Sequence, residues 1–199
     1  MRVALVDAGG ANIGSVLFAL RRLGVEATLT GDARVIREAD RVILPGVSTA
    51  AMVMGRLREL DLVETLRTLE RPLLGVCVGM QLLYERSEEG DVECLGLVPG
   101  RVEKLPASVA IRIPHMGWNT LQPFRASSLS EGIEAGDHAY FVHSYAAPVT
   151  EDCVFSSDHG VTFAAVVQRG HVSGAQFHPE RSAKAGARLL QNFLERGSA

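Results

Sequence analysis

A cysteine with a glycine two positions to either side, Gly75-Val76-Cys77-Val78-Gly79, constrains how this chain can fold more than any other feature. The run Pro72-Leu73-Leu74-Gly75-Val76 before it is short and apolar, as in a buried parallel strand. Met80 to Arg86 after it has helical character. Cys77 is therefore predicted on a sharp strand-to-helix turn. Small flanking residues let strand and helix approach there, while the nucleophile is held in a strained, exposed pose. The helix N-terminus beneath it favours negative charge and would stabilise a thiolate.

His178-Pro179-Glu180 supplies the partners such a thiol needs. Pro179 biases His178 toward an extended conformation, and residues two apart in an extended segment project to the same side. Glu180 can then hold one ring nitrogen while the other faces the thiol, a nucleophile–base–orienter set. The chain order Cys, His, Glu disfavours an α/β-hydrolase, where the acid precedes the histidine. Cys94 and Cys153 lack such surroundings and are expected to be core residues.

Composition narrows the class. At 199 residues and 47% hydrophobic, the chain can bury one sizeable core, and residues 1–199 read as one domain without repeats or linkers. A net charge of −3 argues against a general nucleic-acid binder. Three cysteines without CxxC pairing point to reduced thiols in a cytoplasm. No basic, hydrophobic leader precedes Arg2, and no apolar run approaches the ~18 residues of a membrane span. His115, His138, His159 and His171 show no ligand spacing, so no metal or other cofactor is expected. The glycines of Asp7 to Gly14 miss the dinucleotide fingerprint, and no P-loop lysine follows.

Strands are expected at Arg2–Asp7, Val25–Thr30, Arg41–Leu44 and Leu73–Val76, with helices near 12–23 and 49–70, the latter weakened at Gly55. Short β-like runs from Asp91 to Ser130 suggest an antiparallel excursion. Ala139–His143, Val161–Gln168 and Val172–Phe177 read as strands, the last two a hairpin through Arg169-Gly170, before a closing helix near Ser182–Arg196. Strands alternating with helices predict an α/β fold: a mostly parallel central sheet with helices on both faces.

Beyond the elbow and HPE, the segments LPGVS (44–48), GVCVGMQLLYERSEEG (75–90), IPHMGWN (113–119), YFVHSY (140–145) and QFHPERS (176–182) carry a specific resemblance. The chain resembles the class I (triad) glutamine amidotransferases over about its whole length, and within them the glutaminase subunits of imidazole glycerol phosphate synthases. The PHMGWN and VHSY segments distinguish that group. The resemblance implies a flavodoxin-like fold and hydrolysis of L-glutamine by Cys77, His178 and Glu180. The oxyanion hole would come from the Val78 N–H and the loop Pro45-Gly46-Val47. Gln81, Glu89, Ser144 and Tyr145 would bind glutamine, with Glu89 on the α-ammonium, and His143 is read as structural.

No ATP-binding or acceptor module follows within these residues, and free ammonia is mostly protonated in water, so a separate acceptor chain is expected. The resemblance names it as a (β/α)8 cyclase subunit, met by a face carrying Asn12, Trp118, Tyr140 and Arg181. Trp118 and Tyr140 are either core aromatics or, beside Asn119 and His138, part of a surface rim. Ala8 and Ser48 depart from the family pattern, which has an aromatic and a glycine there. Three other readings stay open: a glutaminase subunit of another ammonia-channelling synthase such as that of pyridoxal phosphate synthesis, a cysteine peptidase of the same fold, and a non-enzymatic interaction module.

Overall fold

The computed structural model describes residues 1–9, 13–109 and 111–196. In chain order the first half runs β1 (Val3–Val6), α1 (Ile13–Arg22), β2 (Ala27–Thr30), α2 (Ala33–Glu38), β3 (Arg41–Leu44), α3 (Ala50–Glu59), α4 (Val63–Arg67), β4 (Leu73–Val76) and α5 (Val78–Gln81). The second half is mainly strands: β5 (Arg86–Ser87), β6 (Val92–Glu93), β7 (Arg101–Lys104), β8 (His115–Thr120), β9 (Gln122–Pro123), β10 (His138–His143), β11 (Tyr145–Ala146), β12 (Cys153–Asp158), β13 (Thr162–Arg169) and β14 (Val172–Ala175). A 3-10 turn at Pro179–Arg181 then leads into α6 (Ala183–Arg196).

The central sheet has the order β2-β1-β3-β4-β14-β13-β12-β9. The pairs from β2 to β14 are parallel and those beyond are antiparallel. Every residue of β1, β4 and β14 is buried, which explains why these strands read as unbroken small or apolar runs. β4 and β14 lie side by side with Val76 opposite Ala175. The elbow after β4 and the HPE turn after β14 therefore leave the same edge of adjacent parallel strands. Sequence positions 77 and 178 meet because of that register. Two small sheets, β10-β8 and β11-β7-β5-β6, make the excursion, and the β13–β14 hairpin turns through Gly170 with φ +54°.

Four details differ from the expectations. The helix after the elbow stops at Gln81, because the carbonyls of Leu82, Leu83 and Tyr84 accept N–H groups from residues 95–98 instead of from the next turn. The helix across 49–70 runs unbroken through Gly55 and breaks instead at Leu60–Leu62, where Asp61 has φ +54°. A short helix, α2, follows Asp32, whose side chain accepts the Arg34 and Val35 N–H groups. A further strand, β12, is buried along its length except at Asp158. No described helix is long and apolar enough to cross a membrane.

Candidate active site

The elbow is built by exclusion of side chains. A Cβ on Gly75 would stand 2.5 Å from the Gly79 carbonyl oxygen, and one on Gly79 would run into the Leu44 carbonyl oxygen. Only glycine lets β4, α5 and the end of β3 approach this closely. Cys77 takes φ 55°, ψ −115° as the cap of α5, a conformation that non-glycine residues rarely hold. Its N–H donates to Ala175 O at 2.8 Å, tying the strained residue to β14. The expected exposure is not found: Cys77 is 4% exposed, its thiol lying 3.8 Å from the Val142 carbonyl oxygen on β10. α5 has only four residues, so a helix macrodipole contributes less at Cys77 than a long helix would.

His178 and Glu180 meet as expected but on a different backbone. His178 is extended at φ −94°, ψ 97°, whereas Pro179–Arg181 is a 3-10 turn. Its Nδ1 donates to Glu180 Oε1 at 2.9 Å, and Cys77 also hydrogen-bonds the ring, leaving Nε2 for the thiol. Burial alone would lower the His178 pKa. The hydrogen bonds and charges of Cys77 and Glu180 override that and raise it from 6.5 to about 10. With its pKa raised that far, the ring is held as the imidazolium at neutral pH.

The supports of this turn were not singled out in the sequence. Ser182 Oγ donates to His178 O at 2.7 Å and accepts the Tyr140 N–H at 2.9 Å. His178 N–H donates to Tyr140 O at 3.0 Å. Gly186 of α6 lets that helix press against the Pro179 carbonyl, where any Cβ would collide. The sequence signal was available in QFHPERS, whose final serine closes the turn.

The other candidates fall into two groups. In the first, Val78 N–H donates to Gly46 O at 3.3 Å. Gly46 is not at positive φ, and a Cβ on it would sit 2.6 Å from Gly79 N and 2.8 Å from Val78 Cβ. The glycine is thus required by close packing. Gln81, 2% exposed, donates through Nε2 to Tyr145 O (2.8 Å) and Gln176 Oε1 (3.0 Å), while its Oε1 is buried without a partner among the described residues. Ser144 O accepts the Leu105 N–H. Glu89 Oε2 accepts the Ala50 N–H at 2.8 Å, capping α3 just past the Gly46 loop, and burial raises its pKa despite that bond.

The second group lies on the surface. Trp118 is 53% exposed and meets the Tyr140 ring edge-on at 5.8 Å, while the Arg181 guanidinium lies over Tyr140 at 4.7 Å. Of the two readings of these aromatics, the exposed rim holds for Trp118. Trp118 and Arg181 border a hollow of about 440 Å³ that also touches Glu180. Asn12 lies outside the described residues, and Ala8 is buried. Among the described residues no group of three or more His, Cys, Asp or Glu side chains could hold a metal.

Comparison with known proteins identifies the family. The sequence profile of the family "Glutamine amidotransferase class-I" matches residues 4–196. The chain is 62% identical over 193 residues to "Imidazole glycerol phosphate synthase subunit HisH" of Xanthomonas axonopodis pv. citri (strain 306), covering 97% of this chain and 96% of that one. It is 59% identical over 197 residues to the protein of the same name from Xylella fastidiosa (strain Temecula1 / ATCC 700964), covering 99% and 98%. Among solved structures, "Crystal structure of glutamine amidotransferase" superposes with a TM-score of 0.76 at 21% identity, over 97% of both chains, a likeness of fold alone. Sequence relationship and fold agree that this chain belongs to the class-I glutamine amidotransferase family, among its imidazole glycerol phosphate synthase HisH subunits.

Proposed function

We propose that this chain hydrolyses L-glutamine to glutamate and ammonia, and hands the ammonia to a (β/α)8 cyclase subunit. That subunit would make imidazole glycerol phosphate and aminoimidazole carboxamide ribotide in histidine biosynthesis. The observation that carries the chemistry is the His178 ring held between the Cys77 thiol and the Glu180 carboxylate. The relatives' name carries the pathway.

The Cys77 sulfur attacks the side-chain carboxamide carbon of glutamine, giving a tetrahedral oxyanion. His178, oriented and kept cationic by Glu180, protonates the amide nitrogen, and ammonia leaves as the thioester forms. Water then attacks the thioester carbon while His178 takes its proton. The C–S bond breaks, glutamate departs and the Cys77–His178 pair is restored. The oxyanion requires aimed donors, each worth about 3 kcal/mol of barrier. We assign these to the N–H groups of Val78 and Val47, the latter after the Gly46–Val47 peptide turns over. Gln81 and Glu89, with Ser144 and Tyr145, bind the amino-acid end of the substrate. Trp118, Tyr140 and Arg181, with Asn12, form the docking face for the cyclase. Free thiols at Cys77, Cys94 and Cys153 suit a reducing cytoplasm.

The test is a glutaminase assay of the complex with the cyclase. Cys77→Ser and Cys77→Ala are expected to abolish glutamine-dependent product formation, and ammonium salt to restore it. Failure of ammonium to rescue would refute the division of labour between the chains. An electrophilic glutamine analogue is expected to label Cys77 and to spare Cys94 and Cys153, whose thiols burial pushes up to about 11 and about 12. Peptide mapping that puts the adduct on either of those would reassign the nucleophile.

A further inference from the structure

Two histidines that the proposed reaction does not use face each other across the β8–β10 pair. The antiparallel register of β8 and β10 sets His115 opposite His143, and His115 Nδ1 lies 3.0 Å from His143 Nε2. Both are buried, at 4% and 7% exposure. A buried polar chain of this kind is stable only if each atom finds the right partner, and here the partners dictate every proton.

The Tyr145 carbonyl can only accept, so His143 Nδ1, 2.8 Å away, carries the hydrogen. In a neutral ring Nε2 is then bare and must accept, so His115 Nδ1 donates to it. His115 Nε2 is bare in turn and accepts from Asn119 Nδ2 at 3.2 Å. The Asn119 amide is fixed by two further bonds: Nδ2 donates to Asp158 O at 2.7 Å, and Oδ1 accepts the Thr120 N–H at 2.8 Å. An extra proton on either ring would set N–H against N–H. Desolvation holds both rings neutral, at about 4 for His115, helped by the stacked His159, and about 3 for His143, against the hydrogen bond to Tyr145.

At its far end the chain stops on the Tyr145 carbonyl, which also accepts the Gln81 amide. That bond, together with one from Gln81 Nε2 to Gln176 Oε1, orients the Gln81 amide and leaves its buried Oε1 without a partner among the described residues. At its near end lies Asn119, next to the exposed Trp118. We propose that His143, His115 and Asn119 are positioning residues for the glutamine pocket: a one-directional chain of neutral side chains that fixes the Tyr145 carbonyl and, through it, Gln81. This rests on the glutaminase reading above. It also accounts for a histidine in each of the two segments, PHMGWN and VHSY.

Kinetics of the full complex with the cyclase test it. His143→Phe keeps a ring among Phe141 and Phe163 and removes the donor to Tyr145. It is expected to raise KM for glutamine about tenfold or more while kcat falls less than about threefold, because Cys77 and His178 are untouched. His143→Asn puts an amide N–H near the place of Nδ1 and is expected to bring KM back to within about threefold of wild type. An unchanged KM in a folded His143→Phe complex overturns the proposal, as does an Asn variant no better than Phe. A wild-type complex without glutaminase activity would instead sink the glutaminase reading itself. The unsubstituted chain offers a readout that needs no variant to fold. Long-range proton–nitrogen NMR correlations at neutral pH are expected to show both rings as Nδ1–H tautomers, and Nε2–H on either ring overturns the chain.

Discussion

The N–H of Val78 donates to the carbonyl of Gly46 across 3.3 Å, so the loop ending β3 is closed onto the first residue of the elbow helix. The donor proposed for the oxyanion is thereby engaged by a carbonyl that would repel it. One peptide accounts for both halves of the problem. Turning the Gly46–Val47 unit over withdraws the carbonyl, frees Val78 N–H and aims Val47 N–H the same way. The free chain is therefore expected to be a slow glutaminase that the ligand-loaded cyclase complex accelerates, by favouring the turned-over peptide through its differential contacts. A preference of about 4 kcal/mol for the closed arrangement corresponds to about a thousandfold in rate. Equal rates for the free chain and the loaded complex would exclude the switch.

Substitutions on either side of that peptide are expected to act differently. Val47→Pro removes the N–H and nothing from the substrate contacts. It is expected to lower kcat of the complex by about a hundredfold, the weight of one oxyanion donor, with KM little changed. A Val47→Pro complex with wild-type kcat would remove Val47 from the oxyanion hole. Gly46→Ala meets backbone at 2.6 Å, so it is expected to lower folding stability by about 1–3 kcal/mol in denaturant titration, whatever its effect on rate.

His178→Ala is expected to approach the loss seen on removing Cys77, whereas Glu180→Gln is milder because the amide oxygen still accepts the ring N–H. Groups that act as a unit lose activity non-additively. The double variant is therefore expected to be about as slow as His178→Ala alone. A loss equal to the product of the two single effects would show that Glu180 does not work through His178.

The elbow was legible because its chemistry is local: glycines, a nucleophile and the strand–helix change lie within a few residues. The same holds for HPE, although the pairing of His178 with Glu180 rests on a 3-10 turn and not on an extended segment. What escaped the sequence is set by distant partners. MQLLYER has helical spacing, yet the N–H groups of residues 95–98 claim its carbonyls. The burial of Cys77 depends on the Val142 carbonyl, 65 positions away. β12 was hidden by Ser156, Ser157 and Asp158, although the two serines are buried. His143 reads as structural in the sequence, and its partner His115 is found only through the β8–β10 register.

The histidines also set opposing limits on stability. In the unfolded chain each titrates near 6.5, whereas in the fold His115 and His143 stay neutral down to about 4 and about 3. As pH falls below 6.5 the unfolded state takes up protons that the folded state refuses. Each ring then removes up to about 1.4 kcal/mol of stability per pH unit until its folded pKa is reached. His178 runs the other way. Its pKa is raised to about 10, so its contribution is complete below about 6.5 and is lost as pH climbs toward 10. Urea midpoints are accordingly expected to fall on both sides of the neutral range. Replacing His143 by Phe is expected to flatten the acid limb by about one proton and leave the alkaline limb alone, and His178→Ala to do the reverse. An acid limb of unchanged slope in the His143 variant would mean that this ring is charged in the fold, and the neutral chain from Asn119 to Tyr145 would not exist.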